Sequence, residues 1–300
     1  MTLNIIPKRK IWYTVSTILS GLSIVFLRMW GLNFGIDFVG GSSLNVEFAN
    51  QSPSVTQVKE ALSPLDLGSL EVQPSGEKDM ILRFEEVDEA IHHEILNKLN
   101  NIDNEKYGEL EELSFDSVGP SIGQTLKRKS FYAVFWVILA IIAYIAFTFR
   151  KVAQPIASWK YGITAVITLI HDCLIVLGVF SFLGHFYGME VDSAFIAAIL
   201  TVLGYSVNDT IVVFDRIREN LPKSEEDFSG TINTSVNQTI VRSINTSVTT
   251  MLILLTIVIW GGTSVQGFAL ALLIGVFIGT YSSIFLAAPL LVLWERRNNL

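Results

Sequence analysis

Cysteine is nearly absent, Cys173 being the only one in 300 residues. The chain cannot close a disulfide on itself, so any part that reaches an oxidising compartment must hold together by packing. A thiolate metal centre is excluded on the same count, because structural zinc sites draw several Cys or His ligands from close spacing. The chain also lacks a glycine-rich phosphate loop, a nucleophile elbow and a zinc signature, so no catalytic centre, organic cofactor or metal site is expected of it. Charge is scarce as well: 16% of residues are charged against 50% hydrophobic, and the mean hydropathy is +0.48. That balance excludes an ordinary soluble domain and points to an integral membrane protein.

Six stretches are apolar and long enough to cross a bilayer, for which about 20 helical residues suffice. They lie near 11–30, 131–149, 161–183, 193–214, 240–260 and 268–294. Lys8, Arg9 and Lys10 precede the first in the manner of a signal peptide, but no small-residue cleavage site precedes Gly31, which favours a retained anchor. Lys8, Arg9, Lys10, Arg150, Lys151, Lys160, Arg216, Arg218, Lys223, Arg296 and Arg297 all fall on one side of the predicted spans. The loops 184–192 and 261–267 hold no Lys or Arg. By the positive-inside rule both termini are cytoplasmic.

One loop is large. Residues 31–129 contain 18 of the 28 acidic residues and only 8 of the 21 basic ones, which argues against nucleic acid as a partner. Alternation and helical spacing predict strands at 43–48, 69–73, 79–84 and 109–115 and helices at 54–62 and 87–99. This β-α-β-β-α-β order is the ferredoxin-like arrangement. The expected organisation is therefore a cytoplasmic N-terminus with the first span (1–30), an exported α+β domain (31–129) and a five-helix membrane region (130–300).

Within that region Asp209 needs explaining. It lies 16 residues past Ser193, roughly 24 Å along a helix, and a charge at membrane depth costs about 2.5–3.5 kcal/mol even on lenient scales. Arg242, two residues into the fifth predicted span, comes back at a similar depth. A carboxylate opposed by an always-charged arginine makes a proton or cation switch, although a static bridge between helices is the plain alternative. His171 and Asp172 sit mid-span and point about 100° apart. They suit either a relay or a structural hydrogen bond to a neighbouring helix. Asp215, Arg216, Arg218 and Glu219 read as a solvated, topological or partner-binding helix end. Gly35, Gly40 and Gly41 read as a turn, and Gly204, Gly275 and Gly279 as helix-packing positions.

The segment Gly35-Ile36-Asp37-Phe38-Val39-Gly40-Gly41 resembles the double-glycine signature of the SecD/SecF family of export proteins. Val118-Gly119-Pro120 with Gly123, His171-Asp172, the block 204–220 that includes Asn208 and Asp209, and 237–242 are similar to that family in the same order and spacing. The short exported region matches the SecF type. The resemblance implies ion coupling through Asp209 and Arg242, driven by transported H⁺ or Na⁺. It further implies a SecD-like subunit, a SecYEG channel, a YajC-type subunit and unfolded secretory precursors as partners in a bacterial inner membrane. Two other readings compete. A half-transporter of the resistance-nodulation-division type, exporting drugs or lipids, has the same architecture, and an intramembrane aspartyl protease would use Asp172 with Asp209.

Overall fold

The computed structural model describes residues 3–149 and 157–296; Arg150, Lys151 and Arg297, which enter the charge asymmetry above, lie outside them. In chain order the elements are α1 (Arg9–Met29), α2 (Ile36–Val39), β1 (Gly41–Phe48), α3 (Val55–Leu62), β2 (Glu71–Ser75), β3 (Asp79–Phe84), α4 (Glu89–Asn100), α5 (Asn104–Tyr107), β4 (Leu110–Val118) and α6 (Pro120–Thr148). They continue with α7 (Ser158–Tyr187), α8 (Ser193–Asn220), α9 (Phe228–Trp260), α10 (Thr263–Ser282), a π-turn (Ser283–Ala287) and α11 (Ala288–Arg296). The chain divides into two compact units, Phe34–Ser130 and the remainder.

The smaller unit is a four-stranded sheet in the order β2-β3-β1-β4, antiparallel throughout. Strand alternation turns Leu44, Val46 and Phe48 of β1 and Met80, Leu82 and Phe84 of β3 to one face, where all six are buried with Val58, Leu62, Ile95 and Leu99 from α3 and α4. Burying each such side chain stabilises the fold by about 1.5–3 kcal/mol. The helix starts are written in the sequence. Ser54 and Gln57 form a reciprocal capping box at α3, and the Asp88 carboxylate accepts from the Ile91 N–H at 2.9 Å to cap α4. Several edges differ from the sequence reading. β2 runs two residues later than 69–73, because its pairing with β3 is centred on Gln73 and Ile81; Pro74 is tolerated there on an edge strand. Two one-turn helices, α2 and α5, carry no periodicity to be read from.

The double glycine has a steric cause. Gly40 has φ +82° and a Cβ there would lie 2.8 Å from Pro120 Cα; Gly41 has φ +121° and a Cβ would meet the Phe84 carbonyl oxygen at 2.8 Å. Both contacts and both dihedrals demand glycine. Gly35, at φ −70°, does not share that demand.

In the larger unit six helices among the described residues are long and apolar enough to cross a membrane. Hydropathy marks only their most apolar parts: α9 begins at Phe228, well before residue 240, because its first three turns are polar on one side and capped by Asp227 through the Gly230 N–H at 2.9 Å. The segment 265–295 is the most enclosed, with α7 and α8 next, while α6 is the least buried of the six. Close approach of α10 to α8 runs through Gly275 and Gly279. A Cβ at Gly275 would stand 2.1 Å from Val202 Cγ2, and one at Gly279 would stand 3.0 Å from Ser206 Cβ. Gly204 does not belong to this seam, since a Cβ there would meet nothing within 4 Å. The amino-terminal segment is tied to α9. Leu3 N–H donates to Asn237 Oδ1 at 2.7 Å, Asn237 Nδ2 returns a bond to the Leu3 carbonyl at 2.9 Å, and the Ile5 and Ile6 amides share Asn233 Oδ1 at 3.0 and 3.1 Å.

Candidate ion-coupling site

Asp209 is buried on α8, and two serines hold it. Ser243 of α9 donates to Oδ1 at 2.5 Å, and Ser283, the first residue of the π-turn, donates to Oδ2. Three elements therefore converge on one carboxylate. Charge-assisted bonds of this kind are each worth about 1.5–3 kcal/mol, which offsets part of the cost of the buried anion. Ser243 belongs to a stripe on α9, with Ser235, Thr239 and Ser247 at four-residue spacing, all buried. Four-residue steps keep one face of a helix in register, so α9 presents a column of hydroxyls to its neighbours. Ser247 meets Thr280 of α10 at 2.5 Å, and Tyr205 of α8 donates to Ser247 at 3.1 Å.

Asp172 forms a second centre on α7 and is fully buried. Its Oδ2 accepts from Ser206 of α8 at 2.6 Å and from Ser282 of α10 at 2.7 Å, while its Oδ1 pairs with His171 Nδ1 at 2.9 Å. His171 and Asp172 thus bond to each other although their backbone directions diverge. The His171 Nε2 is buried and makes no hydrogen bond. Asp172 and Asp209 make no mutual hydrogen bond; each has its own serines, which does not match two carboxylates sharing one proton as aspartyl proteases require.

Arg242 makes no salt bridge to Asp209 among the described residues, but it lies near enough for its charge to act on that carboxylate. Among the described residues the carboxylate is satisfied by hydroxyls, and Arg242, the residue before Ser243, is exposed. It lines a shallow cleft between α8 and α9 with Asp215, Arg216, Glu219 and Gln238. At the end of α8, Arg218 pairs with Asp215 at 2.6 Å and Arg216 with Glu219 at 2.9 Å, a solvated arrangement worth little to stability. Asn208, next to Asp209, is exposed, as are Gly204 on α8 and Asn245, Thr246 and Thr249 on α9. These polar groups share the outer side of the helix pair with exposed apolar ones such as Val241, Ile244 and Val248, and polar groups at membrane depth are ordinarily turned to a protein neighbour or to water. The sequence reading missed all four carboxylate-binding serines. The Ser235–Ser247 spacing was the available signal for Ser243, and Ser206 lies inside the block 204–220; nothing in the sequence marked Ser282 or Ser283.

Comparison with known proteins bears on these positions. Residues 98–297 match the family described as protein export membrane protein SecD/SecF, C-terminal, and residues 31–51 match the SecD/SecF GG motif. The protein translocase subunit SecF of Thermobaculum terrenum is 40% identical, over 99% of this chain and 95% of its own length. The SecF subunit of Anaerolinea thermophila is 39% identical, over 98% of this chain and 94% of its own. The crystal structure of SecDF, a translocon-associated membrane protein from Thermus thermophilus, superposes with a TM-score of 0.84 at 29% identity, covering 99% of this chain. This chain spans 39% of that longer protein. The chain is a multi-pass membrane protein and belongs to the SecD/SecF family, as a relative of its SecF subunits.

Proposed function

We propose that the chain is the SecF half of a protein-export motor in a bacterial inner membrane, with both termini cytoplasmic. Paired with a SecD-like subunit, it uses an ion gradient to promote passage of unfolded secretory precursors through a SecYEG-type channel; a YajC-type subunit completes the assembly by family analogy. The observation that carries this reading is Asp209, a carboxylate at membrane depth held by Ser243 and Ser283 from two other elements, beside the exposed Arg242. Protonating Asp209 cancels its charge and weakens both serine bonds at once, which frees α9 and the π-turn to shift relative to α8. The exposed polar side of α8 and α9 supports a second membrane half as the partner that covers it. Two hydroxyls donate to Asp209, and Ser283 also reaches the Thr280 carbonyl. A proton can be taken up by the carboxylate without any new ligand, so we take H⁺ as the coupling ion. One charge crossing 100 mV releases about 2.3 kcal/mol, comparable to one charge-assisted hydrogen bond.

Pulse-chase export of a secreted precursor tests this in cells depleted of the native chain and complemented with wild type or Asp209→Asn at matched membrane levels. Slowed processing with normal assembly, and no added defect on dissipating the proton gradient, is the expected result. Wild-type export by the variant overturns it. Drug sensitivity of depleted cells with intact export would support the half-transporter instead.

A further inference from the structure

The smaller unit carries a cluster of donor atoms that export does not use. On α4, Glu89, His92 and His93 stand at i, i+3 and i+4, so their side chains leave one face of the helix within a turn. Glu89 Oε1 lies 3.6 Å from His92 Nδ1 and 3.5 Å from His93 Nε2, and the three donor atoms all lie within 4.8 Å of one another. A tetrahedral Zn²⁺ bound at about 2.0–2.1 Å separates its ligand atoms by roughly 3.3–3.4 Å. Two edges are near that value already. The remaining one, between the two histidine nitrogens, closes by rotating His93, which is exposed.

A second observation comes from His92 itself. It is 5% exposed and stacks on Phe115 of β4, with ring centroids 3.8 Å apart and planes 8° from parallel. Neither ring nitrogen makes a hydrogen bond. Leaving a buried polar atom unsatisfied costs about 1–3 kcal/mol, so an imidazole with both nitrogens idle needs a reason. Each nitrogen faces a carboxylate: Nδ1 faces Glu89, and Nε2 lies 3.4 Å from Glu112 Oε2 on β4. A metal-bound histidine is built this way, with one nitrogen on the ion and the other N–H turned to a carboxylate that fixes the tautomer and raises ligand basicity.

We propose that Glu89, His92 and His93 form a binding site for a divalent transition metal of the Zn²⁺ class, with His92 Nδ1 as the anchoring ligand and Glu112 as its orienting partner. Two imidazoles and a carboxylate suit zinc or its neighbours better than Ca²⁺ or Mg²⁺, which take oxygen ligands. Three protein ligands leave a fourth position for water or for a group from another molecule. The alternative is that His92, protonated, forms a purely structural ion pair between Glu89 and Glu112.

The test is Zn²⁺ titration of the full chain in detergent, after removal of any histidine tag, by competition with a chromogenic chelator. One Zn²⁺ per chain at micromolar or tighter affinity is expected, with at least a tenfold loss in both Glu89→Gln and His93→Ala. These positions are exposed, so neither variant threatens folding. Glu112→Gln should weaken binding by about 10–100-fold, the usual effect of removing an outer partner, and Mg²⁺ should not compete. Absence of stoichiometric binding, or binding unchanged in both Glu89→Gln and His93→Ala, overturns the site and leaves the structural ion pair. Because the export assay reads Asp209 and this titration reads only α4, the two proposals fail independently.

Discussion

Ser282 and Ser283 are consecutive in the chain, yet their hydroxyls serve different carboxylates: Ser282 donates to Asp172 and Ser283 to Asp209. On α8 the pattern recurs, where Ser206 binds Asp172 three residues before Asp209 itself. The two buried acids are therefore linked through the same two elements without touching. The chain goes from α-helical to π-helical winding at this very step, and π-turns inside helices are frequent at functional positions. A shift of the π-turn would change the hydrogen bonding of both acids together.

Removing one donor to Asp209 should lower stability and export together. Ser243→Ala is expected to cost about 1.5–3 kcal/mol of stabilisation of the buried carboxylate and to slow precursor processing, while Ser243→Thr, which keeps the hydroxyl, should retain most activity. Pulse-chase rates and the thermal midpoint of the purified chain read both quantities. A normal export rate in Ser243→Ala would show that the hydroxyl is dispensable.

Arg242 predicts the opposite division. It is exposed and makes no salt bridge among the described residues, so Arg242→Gln should leave the stability of the isolated chain within about 0.5 kcal/mol of wild type. Export should nonetheless fall, and co-purification of a SecD-like subunit is the measurement that shows whether the arginine acts across that interface. A melting temperature lowered by many degrees would reveal an internal role.

Two glycines in spanning helices should behave differently. Gly275→Ala drives a methyl to within 2.1 Å of Val202 and is expected to destabilise the α8–α10 contact by about 1–3 kcal/mol. Gly204→Ala meets nothing within this chain and should be near neutral in the purified protein. Thermal unfolding in detergent distinguishes them, and equal effects would contradict the packing described.

The double glycine should be intolerant at the first position. Gly40→Ala combines a left-handed φ of +82° with a contact of 2.8 Å to Pro120, and strain of this kind costs about 1–3 kcal/mol. Limited proteolysis should find the 34–130 unit more readily cut. Gly35→Ala, at an ordinary φ, should be resistant.

How much of this was legible in the sequence varied with the kind of signal. The β-α-β-β-α-β order was readable because Leu44, Val46 and Phe48 alternate and because Ile91, Ile95 and Leu99 recur at helical spacing. Asp209 stood out as a charge in an apolar run. Its partner was harder to find: Arg242 and Ser243 return at nearly the same depth, and only the rotation of α9, which no one-dimensional pattern fixes, decides which of them turns to the carboxylate. Serine and threonine barely change hydropathy, so the four serines around the two acids passed as ordinary span residues. No linear pattern sets Glu89, His92 and His93 apart from the polar side of an amphipathic helix, because the burial of His92 depends on Phe115 of β4 stacking on it.

The bonds that tie Leu3, Ile5 and Ile6 to Asn233 and Asn237 join residues 227–234 positions apart in the chain. While the chain is being synthesised, that amino-terminal clasp has no counterpart until residue 237 has been polymerised and α9 has entered the bundle. The earliest span must therefore sit in the bilayer with its leading residues unfastened through most of translation. Closing the clasp reports that α9 has joined the first span, which makes it a natural timing mark for the stage of insertion that precedes α10.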